Sequence, residues 1–474
     1  MFDKSTLNEI LDVAMANGGD LADIFIEEKR TTAIGCEAGK IERVQSGVDI
    51  GAGIRVLSGD TTAYAYTNDL TRKGLLEVAR IVNHAVRGTK KEVNLDLTGV
   101  KPLVDFTFKE RPEEVSTERK VAVVGTADRA ARAVDSDKIK QVIVGYGDVV
   151  QKVTVANSAG VFVEDERIRT RLLVQAVAAA GAMIQTGYEA VGSLCGFELF
   201  KRCQPEQVAE AAARRSVRML EAKPAPVGKM PVVMAGEAGG TMVHEACGHG
   251  LEADLVQKRL SVYAGKKGQV VASPEVTVID DAAMSDRYGS YRFDDEGTLA
   301  RKVELIKNGK LTDFLYDRLT AMKEERVSNG HGRRESYQHK PIPRMGNTFI
   351  APGKMHPDKI IRDTKEGLLV KKMGGGQVNT TTGDFVFDVA EGYLISDGEI
   401  GPMVRGATLT GNGPDVLRFV EMVGDDLGFT IGTCGKDGQG VPVSDAQPTM
   451  AIKQLIVGGT GKASATPAGK IRRL

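Results

Sequence analysis

Two histidines and a glutamate fall within six residues, His244-Glu245-Ala246-Cys247-Gly248-His249, in a chain of 474 residues that contains only six histidines. Two neutral imidazoles suit a borderline-soft cation such as zinc, and a carboxylate beside them can take the proton from a metal-activated water. The residue types are those of a metallohydrolase. Their spacing is one residue longer than in the HExxH arrangement. Four residues apart, the second histidine lies only about 40° round a helix from the first; five apart, the offset is about 140° and the rings leave on nearly opposite faces. A straight helix therefore cannot present both to one ion. A π-bulge absorbs one extra residue into a turn and occurs preferentially at functional sites, so the spacing predicts a widened turn around Cys247 and Gly248. The competing reading is a pair of ordinary helical histidines, since short patterns of this kind also arise by chance.

A catalytic zinc has three protein ligands and leaves the fourth position to water, so a third donor is needed. One candidate is Cys434, in Gly432-Thr433-Cys434-Gly435-Lys436-Asp437-Gly438-Gln439-Gly440. The glycines of that loop would let backbone wrap closely around an ion, and Lys436 favours a thiolate. The structural alternative is a small buried cysteine in a Gly-rich turn. His331 and His339, in and just after Asn329-Gly330-His331-Gly332-Arg333-Arg334, compete for the role, as does Glu237 in the turn before the motif. Asp294-Asp295-Glu296-Gly297 groups carboxylates that could bind a hard cation, but it reads better as a solvated hairpin tip. A nucleophilic Cys247 beside His244 or His249 is a further chemistry, and it lacks an evident orienting group.

These residues must be held by their elements. Pro231-Val232-Val233-Met234-Ala235 reads as a short buried strand, residues 236–240 as a breaker-rich turn, and Thr241 onward as a helix with Met242, Val243, Ala246, Leu251 and Leu255 apolar. Gly248 and Gly250 each cost a helix interior about 1 kcal/mol relative to Ala, which makes sense where backbone or substrate must come close. Upstream, a first helix over 7–16 is followed by alternating strand patterns at 21–28, 31–36, 49–57 and 61–66. Helical periods cover 71–86 and 116–134, strands return at 139–146, 149–157, 161–169 and 171–180, and a helix covers 205–220. Elements of both kinds in blocks predict an α+β fold. Lys223-Pro224-Ala225-Pro226-Val227-Gly228 is the best boundary signal. It divides an N-terminal mixed α/β domain with an antiparallel sheet, 1–223, from a mostly β C-terminal domain, 224–474, that carries the HExxxH helix. Asn308-Gly309 and Asp397-Gly398 are type I′ hairpin signals there. A helix is expected over 415–423.

Whole-chain properties narrow the function. Lys plus Arg and Asp plus Glu are balanced at 63 each, which gives no support to nucleic acid or an anionic membrane as partner. Five scattered cysteines are unlike a secreted disulfide framework and point to a reducing cytoplasm. The first residues lack the basic and apolar regions of a leader. The most apolar run, 172–184, falls short of the roughly 20 residues needed to span a bilayer.

Taken together, the six-residue motif, Asp294-Asp295-Glu296-Gly297, Arg333-Arg334, Arg344-Met345, Gly374-Gly375-Gly376, Thr382-Gly383-Asp384-Phe385 and Cys434-Gly435-Lys436 followed by Gly438-Gln439 resemble the TldD/PmbA family of metallopeptidases. The resemblance covers nearly the whole chain, is strongest from Met230 to Gly459, and is to the TldD branch, because the TldE or PmbA branch lacks HExxxH. It implies one zinc held by His244, His249 and Cys434, with Glu245 as general base for attack of water on a peptide carbonyl. It also implies a chamber between two related subunits, the partner being a TldE/PmbA-like homologue or a second copy, which admits unfolded or extended peptides and binds them by backbone pairing to sheet edges. Gly374, Gly375 and Gly376 would be close-approach edges for substrate, with His331, Arg333 and Tyr337 as further substrate-binding candidates. An alternative attached to the family through its DNA gyrase connection is a non-catalytic modulator with a structural zinc.

Overall fold

The computed structural model describes residues 3–88 and 96–461. Residues up to Ser193 build a seven-stranded sheet whose long members are Leu21–Glu37, Lys40–Ser58, Ile139–Asn157 and Val161–Ala180. Where two short strands are expected on either side of Gly147 and of Thr170, single strands of 19 and 20 residues run through. Cross-strand pairing carries them past the glycines, because Gly145 and Gly147 face Leu173 and Arg171, whose side chains fill the space a Cβ would take. Met183–Ser193, an edge strand that the sequence reading did not anticipate, pairs with Val161–Ala180.

Even-numbered residues of Leu21–Glu37 share one face, as strand alternation requires. Ile24 and Ile26 pack under the helices Lys4–Ala14 and Arg72–His84, and Ile34 and Cys36 under Thr117–Ala133 and Pro205–Met219. Two helix pairs thus cover opposite ends of one face. The last three fall where the 3.6-residue period places them, the first begins at Lys4 and ends at Ala14 instead of spanning 7–16, and Asp3, Thr71 and Ser116 cap the first three through their side chains. On the other face Phe25, Val153, Val155 and Val163 pack against Phe293 and Tyr337 from the second half of the chain.

That second half contains an eight-stranded and a six-stranded sheet with short helices between them. Together with the first half this is the expected α+β architecture. Gly228–Met234 lies between Glu366–Val378, parallel to it, and Met450–Gly458, antiparallel. Gly428–Lys436 is an edge strand of the six-stranded sheet. Residues from both sheets, including Val232, Phe387, Ile350 and Val443, share one core with Met242, Val243, Ala246 and Cys247 of the motif. The Pro-rich connector is woven in: Lys223–Pro224 pairs with Val404 and Arg405, and Ala225 is fully buried. The helix expected over 415–423 is cut short. Gly413–Arg418 is helical, and Val420–Val423 instead pairs as a strand with Met450–Gly458, because a sheet partner overrides local propensity. Among the described residues no helix is long and apolar enough to cross a membrane.

Candidate metal centre

The motif does not continue as a straight helix. After Thr241–Val243 the chain makes a π-helical turn over His244–Gly248, with the His249 N–H bonded to the His244 carbonyl five residues back, and tightens to a 3-10 turn over His249–Leu251. This is the widened turn the spacing demands. It brings the imidazoles together at a centroid separation of 5.0 Å with ring planes at 89°. Gly248 makes the turn possible by its lack of a side chain: a Cβ there would run into the Met345 sulfur.

Cys434 approaches from the other side. It lies on Gly428–Lys436, which forms a hairpin with Gln439–Gln447 through Asp437 and Gly438, both at positive φ. The expected wrapping loop is therefore a regular hairpin, and its Asp-Gly pair is the same type I′ signal recognised elsewhere in the chain. Arg344, fully buried, donates to the carbonyls of Cys434 and Gln439 and fixes the hairpin end. Cys434 Sγ stands 3.4 Å from His249 Nε2, and one donor atom from each of His244, His249 and Cys434 lies within 4.8 Å of the others. Two ligands about 2.1 and 2.3 Å from a shared tetrahedral zinc would be about 3.6 Å apart, so the donor set fits zinc in both chemistry and spacing.

Charge supports the same assignment. Burial disfavours a Cys434 thiolate, but the charge of His244 and hydrogen bonds from both imidazoles outweigh it and bring the thiol down to about 5. A deprotonated sulfur is the form that binds metal. Glu252, fully buried, accepts from His249 Nδ1 at 3.0 Å. Burial would raise its carboxyl, yet Lys436 and His249 bring it down to about 2. Lys436 Nζ lies 3.1 Å from Glu252, 2.7 Å from Asp254 and 3.0 Å from the Pro343 carbonyl. Behind the other imidazole, Asp445 Oδ2 is 3.5 Å from His244 Nδ1.

The centre opens into a cavity of about 770 Å3 lined by Glu245, Leu255, Lys372, Met373 and Thr433 among others. Glu245 is half-buried, and among the described residues its carboxylate has no hydrogen bond or ion pair. Burial pushes its pKa up, the direction that suits a proton acceptor working near neutrality. Gly374 and Gly375 line the cavity, whereas Gly376 packs on the Phe387 ring.

His331, Arg333 and Tyr337 do not line it. His331 is fully buried against Asp280 at 3.0 Å, Arg333 bonds the carbonyls of Met345 and Pro442, and Tyr337 packs beneath Gly51 with its hydroxyl 3.1 Å from Asp49. Glu237 pairs with Lys371, and His339 lies 3.2 Å from the Ser336 hydroxyl. Cys247 is sealed in the core, and burial pushes its thiol up to about 12, which removes it as a nucleophile. The Asp294-Asp295-Glu296 cluster corrects the expectation of a solvated hairpin tip. It is buried, with Asp295 paired to Arg167 and Glu296 to Arg55. Sequence reasoning missed Asp445 and Glu252. Glu252, three residues after His249, shared its helical face and was open to recognition.

Comparison with known proteins points the same way. Residues 227–459 match the PmbA/TldA metallopeptidase C-terminal domain, 110–220 its central domain and 22–88 its domain 1. The chain is 34% identical to a metalloprotease TldD homolog of Haemophilus influenzae, covering 96% of each, and 36% identical to a metalloprotease of Methanothermobacter thermautotrophicus, covering 93% of this chain and 96% of that one. A zinc metalloprotease TldD homolog of Saccharolobus solfataricus is 27% identical over 88% of this chain and 91% of its own. In fold the chain is similar to TldE of Thermococcus kodakarensis, with TM-score 0.75, 19% identity and coverage of 95% and 99%. It is also similar to a Thermotoga maritima protein named for modulation of a DNA gyrase, with TM-score 0.79, 24% identity and coverage of 96% and 100%.

Proposed function

The chain belongs to the TldD/PmbA family of metallopeptidases, and from that premise we propose that it is a zinc-dependent peptidase of unfolded or extended polypeptides. The observation that carries the reading is the convergence of His244, His249 and Cys434 beside an uncommitted Glu245 at the wall of a large cavity. Bound there, zinc would polarise the peptide carbonyl and lower the pKa of water. Glu245 takes the proton of the attacking water onto its carboxylate as the new C–O bond forms, and returns it to the amide nitrogen as the C–N bond breaks. Glu252 and Asp445 orient the imidazoles, and the fixed hairpin holds Cys434 in place. Leu255, Met373 and Ile431 give the cavity apolar walls that limit water around the scissile bond.

A modulator with a closed structural zinc would need a fourth protein donor. Among the described residues the cluster has three and faces a cavity, which favours catalysis. We assign as partner a TldE/PmbA-like subunit or a second copy, enclosing the cavity between them. The five free cysteines suit the cytoplasm. The test is Glu245→Gln: zinc content should stay at that of the wild type while hydrolysis of an unfolded test protein disappears. Turnover equal to the wild type in the zinc-loaded variant would overturn the mechanism.

A further inference from the structure

A recess of about 150 Å3, lined by Arg171, Leu173 and Tyr288, shares Tyr188, Ile431 and Thr433 with the main cavity. Two parts of the chain build it: Val161–Ala180 with Met183–Ser193, and the edge strand Gly428–Lys436 that carries Cys434. Arg167, Arg169 and Arg171 alternate onto one face of their strand. The first two are committed. Arg167 pairs with Asp165 and Asp295, and Arg169 donates to the carbonyls of Tyr288 and Ser290.

Arg171 is exposed and, among the described residues, has no hydrogen bond or ion pair; the Tyr188 and Tyr288 hydroxyls likewise have no hydrogen bond. Its cross-strand neighbours are Gly147 and Gly192. A Cβ at Gly147 would stand 3.2 Å from Arg171 Nε, and one at Gly192 would stand 2.7 Å from Ile431 Cδ1. Gly147 therefore leaves the room over which the exposed Arg171 side chain lies, and Gly192 leaves the room that Ile431 fills at the recess wall. A side-chain-sized space with walls part polar and part apolar, bordered by a permanent cation and two hydroxyls without hydrogen-bond partners, is matched to a carboxylate.

We propose that this recess is a specificity subsite that takes a carboxylate of the peptide substrate onto the Arg171 guanidinium. The proposal rests on the peptidase reading and adds a substrate class to it: peptides bearing a negative charge close to the scissile bond. Ile431 precedes Cys434 by three residues, about 10 Å along an extended strand, so a peptide running beside it reaches the recess about three residues from the bond being cut. The carboxylate is that of an Asp or Glu side chain or that of the peptide's own C-terminus.

Zinc-loaded full-length protein carrying Glu245→Gln permits binding to be read without turnover. The probes are fluorescent peptides that differ only in Glu against Gln at each position within three residues of the centre, or in a C-terminal acid against an amide, followed by anisotropy. A carboxylate at one position should tighten binding about tenfold over its neutral counterpart. Arg171→Met should bring that ratio close to one, and Arg171→Lys should keep part of it. Dependence on Glu identifies a side chain, and dependence on the acid terminus identifies the chain end. A ratio unchanged by Arg171→Met, no preference at any position, or binding of none of the peptides would overturn the proposal. Failure of the peptidase reading is seen separately, as wild-type hydrolysis by the Glu245→Gln protein.

Discussion

Each imidazole of the centre has a carboxylate behind it, and the two are unequal. Glu252 meets His249 Nδ1 at hydrogen-bond distance and leaves Nε2 facing Cys434, whereas Asp445 stands at 3.5 Å from His244 Nδ1. Outer carboxylates of this kind fix ring orientation and raise ligand basicity. Lys436 sits two residues from Cys434 on the same strand and supplies the charge that keeps Glu252 ionised, so the hairpin that brings one ligand also stabilises the support of another. Glu252→Gln should weaken zinc binding roughly 10- to 100-fold, and Asp445→Asn should weaken it less. Competition with a chromogenic chelator measures both. An unchanged affinity in the Glu252 variant would leave that carboxylate with a structural role only.

At the scale of elements, the extra residue between the histidines is absorbed by one turn, and the packing around that turn decides whether it survives. Gly248 has φ −52° and ψ −58°, a conformation any residue adopts, so its requirement for glycine is one of space against Met345. Gly248→Ala should cost about 1–3 kcal/mol through overpacking and lower the zinc stoichiometry, because the turn must shift to relieve the clash. Adding Met345→Ala should recover part of both. Calorimetry and metal analysis are the readouts, and a Gly248→Ala protein with unaltered melting and zinc content would refute this account. Other elements were legible for the same local reason. Asn308-Gly309 and Asp397-Gly398 take positive φ at both residues as their hairpins require, and the three longest N-terminal helices after the first match their apolar periods. The strands that run on through Gly147 and Thr170 were not, because their continuity is imposed by a neighbouring strand rather than by their own residues.

Across the whole molecule, the long sheet and the second half of the chain meet through charge as well as apolar packing. Asp23 and Arg55 are cross-strand partners, and the Arg55 guanidinium reaches Glu296 at 2.6 Å, all three side chains fully enclosed. Crowding of carboxylates here has a pH signature. Burial, and then the negative charge of Glu296, hold the Asp317 carboxyl up at about 7, against 3.8 in water. A carboxyl raised in the folded state contributes stability that is fully present below its unfolded pKa and is lost as pH rises through the folded one. The melting temperature should therefore fall between pH 4 and about 7 from this group, and Asp317→Asn should flatten that fall. Asparagine keeps the oxygen that accepts from the Thr320 N–H without acquiring charge. A variant whose melting temperature differs from the wild type by the same amount at pH 5 and pH 8 would contradict the assignment.

The sequence by itself determined the chemistry offered by residues 244–249, the need for a widened turn, the α+β class and most helix positions, because these depend on interactions within one or two turns of backbone. Residue types alone left Cys434 competing with His331 and His339, and only the resemblance singled it out; the tertiary structure is what brings it to the two histidines, places Asp445 behind one of them, and buries the acidic run at 294–296. Those outcomes depend on the register of strands far apart in the chain and on which face of a sheet meets its neighbour. A shift of one residue in the strand that carries Cys434 would turn its sulfur away from the site without changing any local pattern.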